Sequence, residues 1–237
     1  MRWYISNTLT GCFILILILG CEIIPKMEKK LKDADSLQKI SEEDYKRRVG
    51  MNGKSDVFLT ANIEKKEKEL KIEYTISNGL DCEIFIFNRL FQTDREGNRT
   101  LDPNVCYVTI LDDEMVCISK ELTEIPEGLK VEAPEIPYLT RISPMETFKE
   151  SINLTLPLHI NTPYINPYFK TKKITKERIK LIIGYIIHSE SELIRVKEVE
   201  IGNETVFLMR SYGIGVMHQK FVESEPFMMS IPTLLSK

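Results

Sequence analysis

Two stretches of the chain alternate between polar and apolar residues, which is the pattern of a β-strand with one buried face. The first covers residues 69–77 and has an apolar side chain at every second position. The second covers residues 148–158, where the side chains predicted to face inward are Phe148, Ile152, Leu154, Leu156 and Leu158. Glu150 interrupts this second alternation, and burying an isolated charge is costly. We therefore expect Glu150 to lie near a strand end or a bulge.

Other stretches are apolar on both faces, as expected for the central strands of a sheet. Residues 82–91 and 181–188 show this pattern, and Gly184 in the second stretch indicates close backbone packing. Further strands are predicted over residues 105–111, 115–120, 193–201, 204–210 and 214–222. The proline-rich residues 121–144 are predicted to be a long irregular connection or an edge segment, because proline cannot donate to a strand ladder, and the stretch 161–180 is predicted to be another loop.

No long stretch of helical periodicity follows residue 50, and the predicted strands are separated by Gly, Asn, Asp and Pro turns. This pattern favours an all-β fold, an antiparallel β-sandwich. Residues 141–146 lead into the second alternating strand and resemble the turn before a late strand in bacterial immunoglobulin-like modules. The resemblance implies an immunoglobulin-like sandwich with long proline-rich loops. A lipocalin-like β-barrel is the structural alternative.

The amino-terminal region carries a short apolar run, residues 13–19, after a single basic residue, Arg2. A spanning helix needs about 20 apolar residues, so the run matches the apolar segment of a secretory signal instead. The tetrapeptide that ends it, Ile18-Leu19-Gly20-Cys21, resembles the lipobox of bacterial lipoproteins. The resemblance implies that Cys21 is lipidated and anchors the protein to a membrane. A secretory signal cut elsewhere and an uncleaved signal anchor are the alternatives.

These features divide the chain into a signal peptide (1–20), a lipidated cysteine with a charged tether (21–50) and a β-sandwich domain (51–237). By the same resemblance, Glu22 after the lipidated cysteine favours the outer membrane of a host with two membranes. The chain has 32 basic and 35 acidic residues, a formal net charge of −3. This balance argues against nucleic acid as a partner.

Candidate metal and redox residues are few. Three cysteines follow Cys21, namely Cys82, Cys106 and Cys117. In an oxidising compartment two of them can form a disulfide, and the alternative is three buried thiols. The three histidines show no metal-ligand spacing and lie in or at the ends of strand patterns: His159, His188 and His218. We therefore predict neither a metal nor a cofactor.

The sequence also lacks the common catalytic motifs. It contains no Gly-x-Ser-x-Gly elbow, His-Glu-x-x-His helix, phosphate-binding glycine loop or Ser-x-x-Lys motif. The segment Gly213-Ile214-Gly215 lacks the third glycine of a dinucleotide site and is predicted to be a turn. We predict that the protein is not an enzyme. The alternatives are a glycan hydrolase with scattered carboxylates and a protease-inhibitor-like sandwich that presents residues 125–138.

Three charged segments are candidate ion-binding or surface-binding sites. Acidic loops such as Asp94, Glu96 and Asn98, or residues 112–114, can bind calcium, although acidic turns commonly hold no ion. The basic stretch 170–180 can approach anionic lipid or an acidic partner. We expect solvated loops in all three cases.

One loop combines aromatic residues with prolines, between Pro163 and Phe169. Rigid aromatic side chains lose little entropy on binding and dominate contact surfaces. The candidate binding residues are therefore Tyr138, Tyr164, Tyr168 and Phe169. Such residues also pack down as a lid over the end of a sandwich. We predict a membrane-anchored binding module of the cell envelope, whose partner is an envelope protein or a glycan.

Overall fold

The computed structural model describes residues 56–111, 115–164, 171–189 and 195–236. Several predictions concern residues outside these ranges: the signal peptide 1–20, the tether 21–50 with Cys21, the acidic turn 112–114, and the aromatic residues Tyr168 and Phe169. Among the described residues, no helix has the length and apolar character needed to cross a membrane.

Strands make up most of the described chain. They are β1 (Val57–Lys65), β2 (Glu69–Asn78), β3 (Ile84–Arg89), β4 (Phe91–Thr93), β5 (Arg99–Leu101), β6 (Tyr107–Leu111), β7 (Met115–Lys120), β8 (Tyr138–Ile142), β9 (Thr147–Thr155), β10 (Leu158–His159), β11 (Thr171–Ile187), β12 (Lys197–Ile201), β13 (Glu204–Leu208), β14 (Lys220–Glu223) and β15 (Phe227–Ser236). One short helix, α1 (Tyr212–His218), lies between β13 and β14. Both alternating strands and the 105–120 hairpin are thus confirmed.

A three-stranded antiparallel sheet has the order β1-β2-β9. Alternate side chains of β2 point inward and are almost fully buried, among them Leu70, Ile72 and Ile76. The register places Ile72 opposite Ile152 and Tyr74 opposite Glu150. Glu150 therefore lies in the middle of β9, and the expectation of a strand end or bulge was wrong.

The long strand β11 is the centre of the second sheet. Along one side it pairs with β15 and then with β14, and along the other with β7 and then with β3. Beyond these strands the sheet continues with β6 on β7, with β10 on β15, and through β3 to β8, β13 and β12. The β7–β11 and β10–β15 pairs are parallel, and the remaining pairs are antiparallel.

The first half of β11 corrects the predicted loop over residues 161–180. Lys172 to Lys180 belong to a strand because β15, at the carboxyl end of the chain, supplies the pairing partner. Lys172 and Lys173 keep their side chains exposed, while Lys180 is largely buried and pairs with Glu223 at 2.7 Å. A pairing over this sequence distance leaves no trace in local composition.

The two sheets pack face to face around the main apolar core. Inward side chains of the three-stranded sheet meet those of the β7–β11 region, such as Ile118, Leu181 and Ile183. The result is an all-β, sandwich-like fold. Among the described residues the sheets remain open, so the lipocalin-like closed barrel is not the architecture of this chain.

A second apolar cluster lies around Phe87 and Leu139 and receives α1. Residues 214–222 were predicted to form a strand, but residues 212–218 form a helix and only Lys220–Glu223 is a strand. The backbone of Gly215 lies directly against the Met209 side chain, so this short helix is stabilised by close packing on the second apolar cluster. A strand and a seven-residue helix both satisfy so short an apolar pattern.

The three cysteines form no disulfide. Cys106 and Cys117 are buried, and Cys82 is half-buried. Gly184 shows the close packing expected from the sequence, because a β-carbon at this position would overlap the Gln219 side chain. The Gln219 carboxamide in turn accepts from the Leu122 N–H and donates to the Leu122 carbonyl.

Candidate functional site

Two of the predicted aromatic binding residues, Tyr138 and Tyr164, lie within the described ranges, and they differ in burial. Tyr138 is only 8% exposed and packs edge-on against Phe91, with ring centroids 5.8 Å apart. This burial does not fit an exposed contact residue. Tyr164 is half-buried, and its hydroxyl accepts a hydrogen bond from the Glu135 N–H at 3.2 Å. Of the four predicted residues, Tyr164 alone lies both within the described chain and at its surface.

A groove of about 660 Å³ opens beside the start of the Tyr164 loop. We call it the loop-end groove. Its lining residues are Phe91, Gln92, Asn104, Val105, Cys106, Tyr107, Val108, Glu135, Leu154, Thr155, Leu158, His159, Ile160, Asn161, Thr162 and Pro163. A cavity of this size falls within the range of about 300–1,000 Å³ that is typical of ligand sites.

Strand pairing holds two sides of the loop-end groove together. Val108 of β6 and Asn161 exchange two backbone hydrogen bonds, of 2.8 and 3.0 Å. The Asn104 side chain accepts from the Asn153 N–H at 2.8 Å, which ties the segment before β6 to the edge of β9. The groove is therefore built on sheet positions rather than on loops alone.

Two neighbouring ionisable side chains of this groove, Tyr107 and Glu135, interact with each other. The Tyr107 hydroxyl is nevertheless buried without a hydrogen bond of normal distance and angle among the described residues, and the whole residue is 3% exposed. Burial raises the pKa of Tyr107, and the nearby charge of Glu135 raises it further. Burial also raises the pKa of the half-buried Glu135, against the opposing effect of Arg99.

An unsatisfied buried polar group costs about 1–3 kcal/mol. The buried Tyr107 hydroxyl therefore carries an energetic cost that a bound ligand group would relieve. The Cys106 thiol also lines the groove, but burial raises its pKa to about 12. A thiol with so high a pKa remains protonated and is a poor nucleophile.

The three histidines lie apart in the structure. His159 lines the loop-end groove, His188 has its Nδ1 atom 3.5 Å from Glu83, and His218 ends α1. Within the described ranges, no group of three or more metal-ligating side chains comes together.

The acidic turn at Asp94 is held by its own backbone. The Asp94 carboxylate accepts from the Glu96 N–H at 2.9 Å and from the Asn98 N–H at 2.8 Å. Hydrogen bonds from the Asn98 side chain and from the Asn98 N–H lower the pKa of Asp94. The carboxylate thus stabilises the β4–β5 hairpin by an interaction typical of aspartate turns.

The most concentrated polar cluster was missed at the sequence level. Glu150 is buried between the sheets and accepts four hydrogen bonds, which define the Glu150 cluster. The donors are Tyr74 (2.5 Å), Lys120 (2.6 Å), Arg89 (2.9 Å) and Asn88 (3.2 Å). Its sequence signals were the charge inside the alternation of β9 and the polar pair Asn88-Arg89 inside an apolar stretch.

Lys120 is a fully buried member of this cluster, with a side chain that is 0% exposed. Burial lowers its pKa, and the charge of Glu150 opposes this effect. The ammonium also donates to the backbone carbonyl of Pro103 at 2.7 Å. Because Pro103 precedes Asn104, the Glu150 cluster fixes one wall of the loop-end groove from behind.

A second depression, of about 620 Å³, lies on the outer face of the three-stranded sheet. We call it the outer trough. Its lining residues are Thr60, Ala61, Asn62, Glu73, Tyr74, Thr75, Lys149, Glu150 and Ser151. Of the charged lining residues, Glu73 is paired with Lys71 at 2.7 Å and Glu150 belongs to the Glu150 cluster.

Comparison of the chain with protein-family models, curated proteins and solved structures gave no significant match. The loop-end groove and the amino-terminal sequence are therefore the two features of this chain that bear on its function.

Proposed function

We propose that this chain is a lipid-anchored, extracytoplasmic lipoprotein whose β domain binds another component of the cell envelope through the loop-end groove. One observation carries the binding site: the buried Tyr107 hydroxyl lies beside Glu135 in this groove without a hydrogen bond of normal distance and angle to any described residue. The groove also includes Thr162 and Pro163, which lead directly into the predicted recognition loop. The sequence Ile18-Leu19-Gly20-Cys21 supports the anchor.

A binding role is better supported than the two alternatives. A two-carboxylate glycan hydrolase needs a pair of acids facing one cleft, and Glu135 is the one carboxylate among the residues that line the loop-end groove. An inhibitor would present residues 125–138 as a free convex loop. Tyr212 accepts from the Ile125 N–H and Tyr164 from the Glu135 N–H, so this segment is held near both ends.

The immunoglobulin-like classification is part of the same proposal. It is supported by a sandwich of largely antiparallel sheets and by the Arg141–Glu146 turn that leads into β9. An outer-membrane position in a two-membrane host is likewise proposed, from Glu22.

The experiment compares two exposed threonines, each in a strand that lines one of the two depressions. Thr155→Trp fills the loop-end groove, and the matched variant Thr60→Trp fills the outer trough. The full chain is purified from membranes in detergent and used to capture partners from envelope extract. We expect Thr155→Trp to abolish capture and Thr60→Trp to leave it intact. The reverse result would assign the outer trough instead, and capture unaffected by either variant would refute the proposed site.

The anchor is tested in the same expression strain. Cys21→Ser removes the thiol that would carry the lipid, so the protein should move from the membrane fraction to the soluble fraction. Retention of Cys21→Ser in washed membranes would contradict the lipoprotein proposal without affecting the groove experiment.

A further inference from the structure

We infer that the ligand of the loop-end groove is a neutral saccharide, one of whose hydroxyl groups bridges Tyr107 and Glu135. This inference rests on the proposed function and names the chemistry of the ligand. It follows from three features of the groove: its hydrogen-bonding groups, its charge and its unsatisfied pair.

The polar lining of the groove consists mainly of uncharged hydrogen-bonding groups. Carboxamides and hydroxyls line it at Gln92, Asn104, Thr155, Asn161 and Thr162. Some of these groups are already oriented by the protein, since the Gln92 amide donates to Asp102 at 3.0 Å and Asn104 accepts from Asn153. Preorganised neutral donors and acceptors suit a ligand rich in hydroxyl groups, because little ordering entropy is lost on binding.

The charge of the groove disfavours an anionic ligand. Glu135 is the one formally charged side chain in the lining when histidine is neutral, and neither lysine nor arginine lines the groove. A phosphate or carboxylate ligand would therefore face a carboxylate without a pairing cation. Arg99, which lies over the Phe91 ring at 4.3 Å from the centroid, acts on Glu135 from outside the lining.

The unsatisfied pair distinguishes a hydroxyl from an ammonium group. The Tyr107 hydroxyl needs an acceptor for its proton, while the Glu135 carboxylate only accepts. A ligand hydroxyl accepts from Tyr107 and donates to Glu135 through one oxygen atom. An ammonium group only donates, so it would compete with the Tyr107 hydroxyl for the Glu135 carboxylate instead of supplying an acceptor.

The apolar part of the lining completes this assignment. Leu154 and Pro163 are half-buried members of the lining and present aliphatic surface beside the polar groups. The C–H faces of a sugar ring pack on such surface while its hydroxyls point to the carboxamides. The volume of the groove suits a short oligosaccharide rather than an extended polymer segment buried along its whole length.

The test measures binding by titration calorimetry to the full chain in detergent. The probes are two neutral oligosaccharides, the hexamer of N-acetylglucosamine and the hexamer of glucose, with hexalysine and inorganic phosphate as charged probes. We expect at least one oligosaccharide to bind, and Tyr107→Phe and Glu135→Gln each to weaken it about tenfold or more, the effect of one lost hydrogen bond to a charged or buried group. Glu73→Gln, in the outer trough, is the matched control and should leave affinity unchanged.

Several results would overturn the inference. They are binding of hexalysine or phosphate with no oligosaccharide binding, no binding of any probe, or oligosaccharide binding that neither Tyr107→Phe nor Glu135→Gln reduces. The capture experiment with Thr155→Trp separates this failure from failure of the proposed function. If capture still depends on Thr155 while the oligosaccharides neither bind nor compete, the groove remains a binding site and only the saccharide assignment is wrong.

Discussion

The Glu150 cluster and the loop-end groove are two polar regions of one apolar fold, and they differ in how their carboxylate is paired. In the Glu150 cluster the carboxylate meets two cations, a tyrosine hydroxyl and an amide within 3.2 Å, although Asn88 Oδ1 and Arg89 Nε have no partner among the described residues. In the loop-end groove the Glu135 carboxylate has the buried Tyr107 hydroxyl beside it, and this hydroxyl makes no hydrogen bond of normal distance and angle within the described part of the chain.

This difference separates an architectural role from a binding role. The Glu150 cluster draws on β2, β3, β7 and β9, so it joins the two sheets across the core. A hydrogen-bonded network of this kind can specify one arrangement of strands, although it need not add net stability. In the loop-end groove, the Tyr107 hydroxyl lacks a well-formed hydrogen bond to the described residues of the free protein, which lowers stability, and a ligand would supply that hydrogen bond.

The largest effect is expected from breaking the Glu150 cluster. Glu150→Leu leaves the fully buried Lys120 without its anion and should destabilise the fold by about 3–5 kcal/mol. Lys120→Met should cost less, because Glu150 keeps its pair with Arg89. Urea unfolding measures both values.

The double variant Glu150→Leu/Lys120→Met sharpens this prediction. It should be more stable than Glu150→Leu alone, because it removes the buried cation together with its partner. Strict additivity in the double variant would show that the cluster does not act as a unit. Equal costs for the two single variants would contradict the role of Arg89 as the remaining partner of Glu150.

An intermediate effect is expected from two matched tyrosine substitutions. Tyr74→Phe removes a hydrogen bond to the buried Glu150 carboxylate and should cost about 1.5–3 kcal/mol. Tyr107→Phe removes a hydroxyl that has no partner among the described residues, so it should leave stability unchanged or raise it. Thermal unfolding of both variants without ligand provides the measurement, and a loss in Tyr107→Phe as large as that in Tyr74→Phe would contradict the comparison.

The smallest effect is a pH dependence that originates at Glu135. Burial raises the pKa of this carboxyl above its ordinary value of 4.5 in the folded chain, so the folded state binds the proton more tightly than the unfolded state. This contribution to stability is fully present below pH 4.5 and is lost as the pH rises through the raised folded pKa. Glu135→Gln should therefore gain melting temperature relative to the natural protein between pH 4 and pH 7.

The control for this measurement is Glu73→Gln, an exposed glutamate on the three-stranded sheet, examined over the same pH range. If the melting-temperature difference for Glu135→Gln did not grow with pH, burial of the carboxyl would not be the source of the effect.

The sequence predicted those parts of the fold that depend on neighbouring residues. The alternation of residues 69–77 became β2 and the apolar stretches around 112–114 became the β6–β7 pair. By contrast, residues 171–180 were predicted as a loop because their strand partner, β15, lies at the far end of the chain. The α1 segment was predicted as a strand because seven residues carry too little periodicity to distinguish the two structures.

The candidate site was predicted only in part, for the same reason. Pro163 and Tyr164 were selected for their aromatic and proline character, and the loop-end groove lies beside them. Tyr138 was predicted on the same basis, but in the structure it is buried and packs against Phe91. Tyr107 and Glu135 were not selected, because nothing around either residue indicates that they meet.

The sequence by itself therefore determined the all-β class and most of the strands, because each depends on residues that are adjacent or regularly spaced; the lipobox at Cys21 stays a prediction of the same kind. Only the tertiary structure decided that Glu150 points into the core, where donors 30 to 76 positions away converge on it. It also decided that Tyr107 and Glu135 face one groove. The Glu150 charge is tolerated because the folded chain brings donors within hydrogen-bond distance of it. The Tyr107 hydroxyl is left unsatisfied because the described part of the folded chain brings no partner to it at normal hydrogen-bond distance and angle.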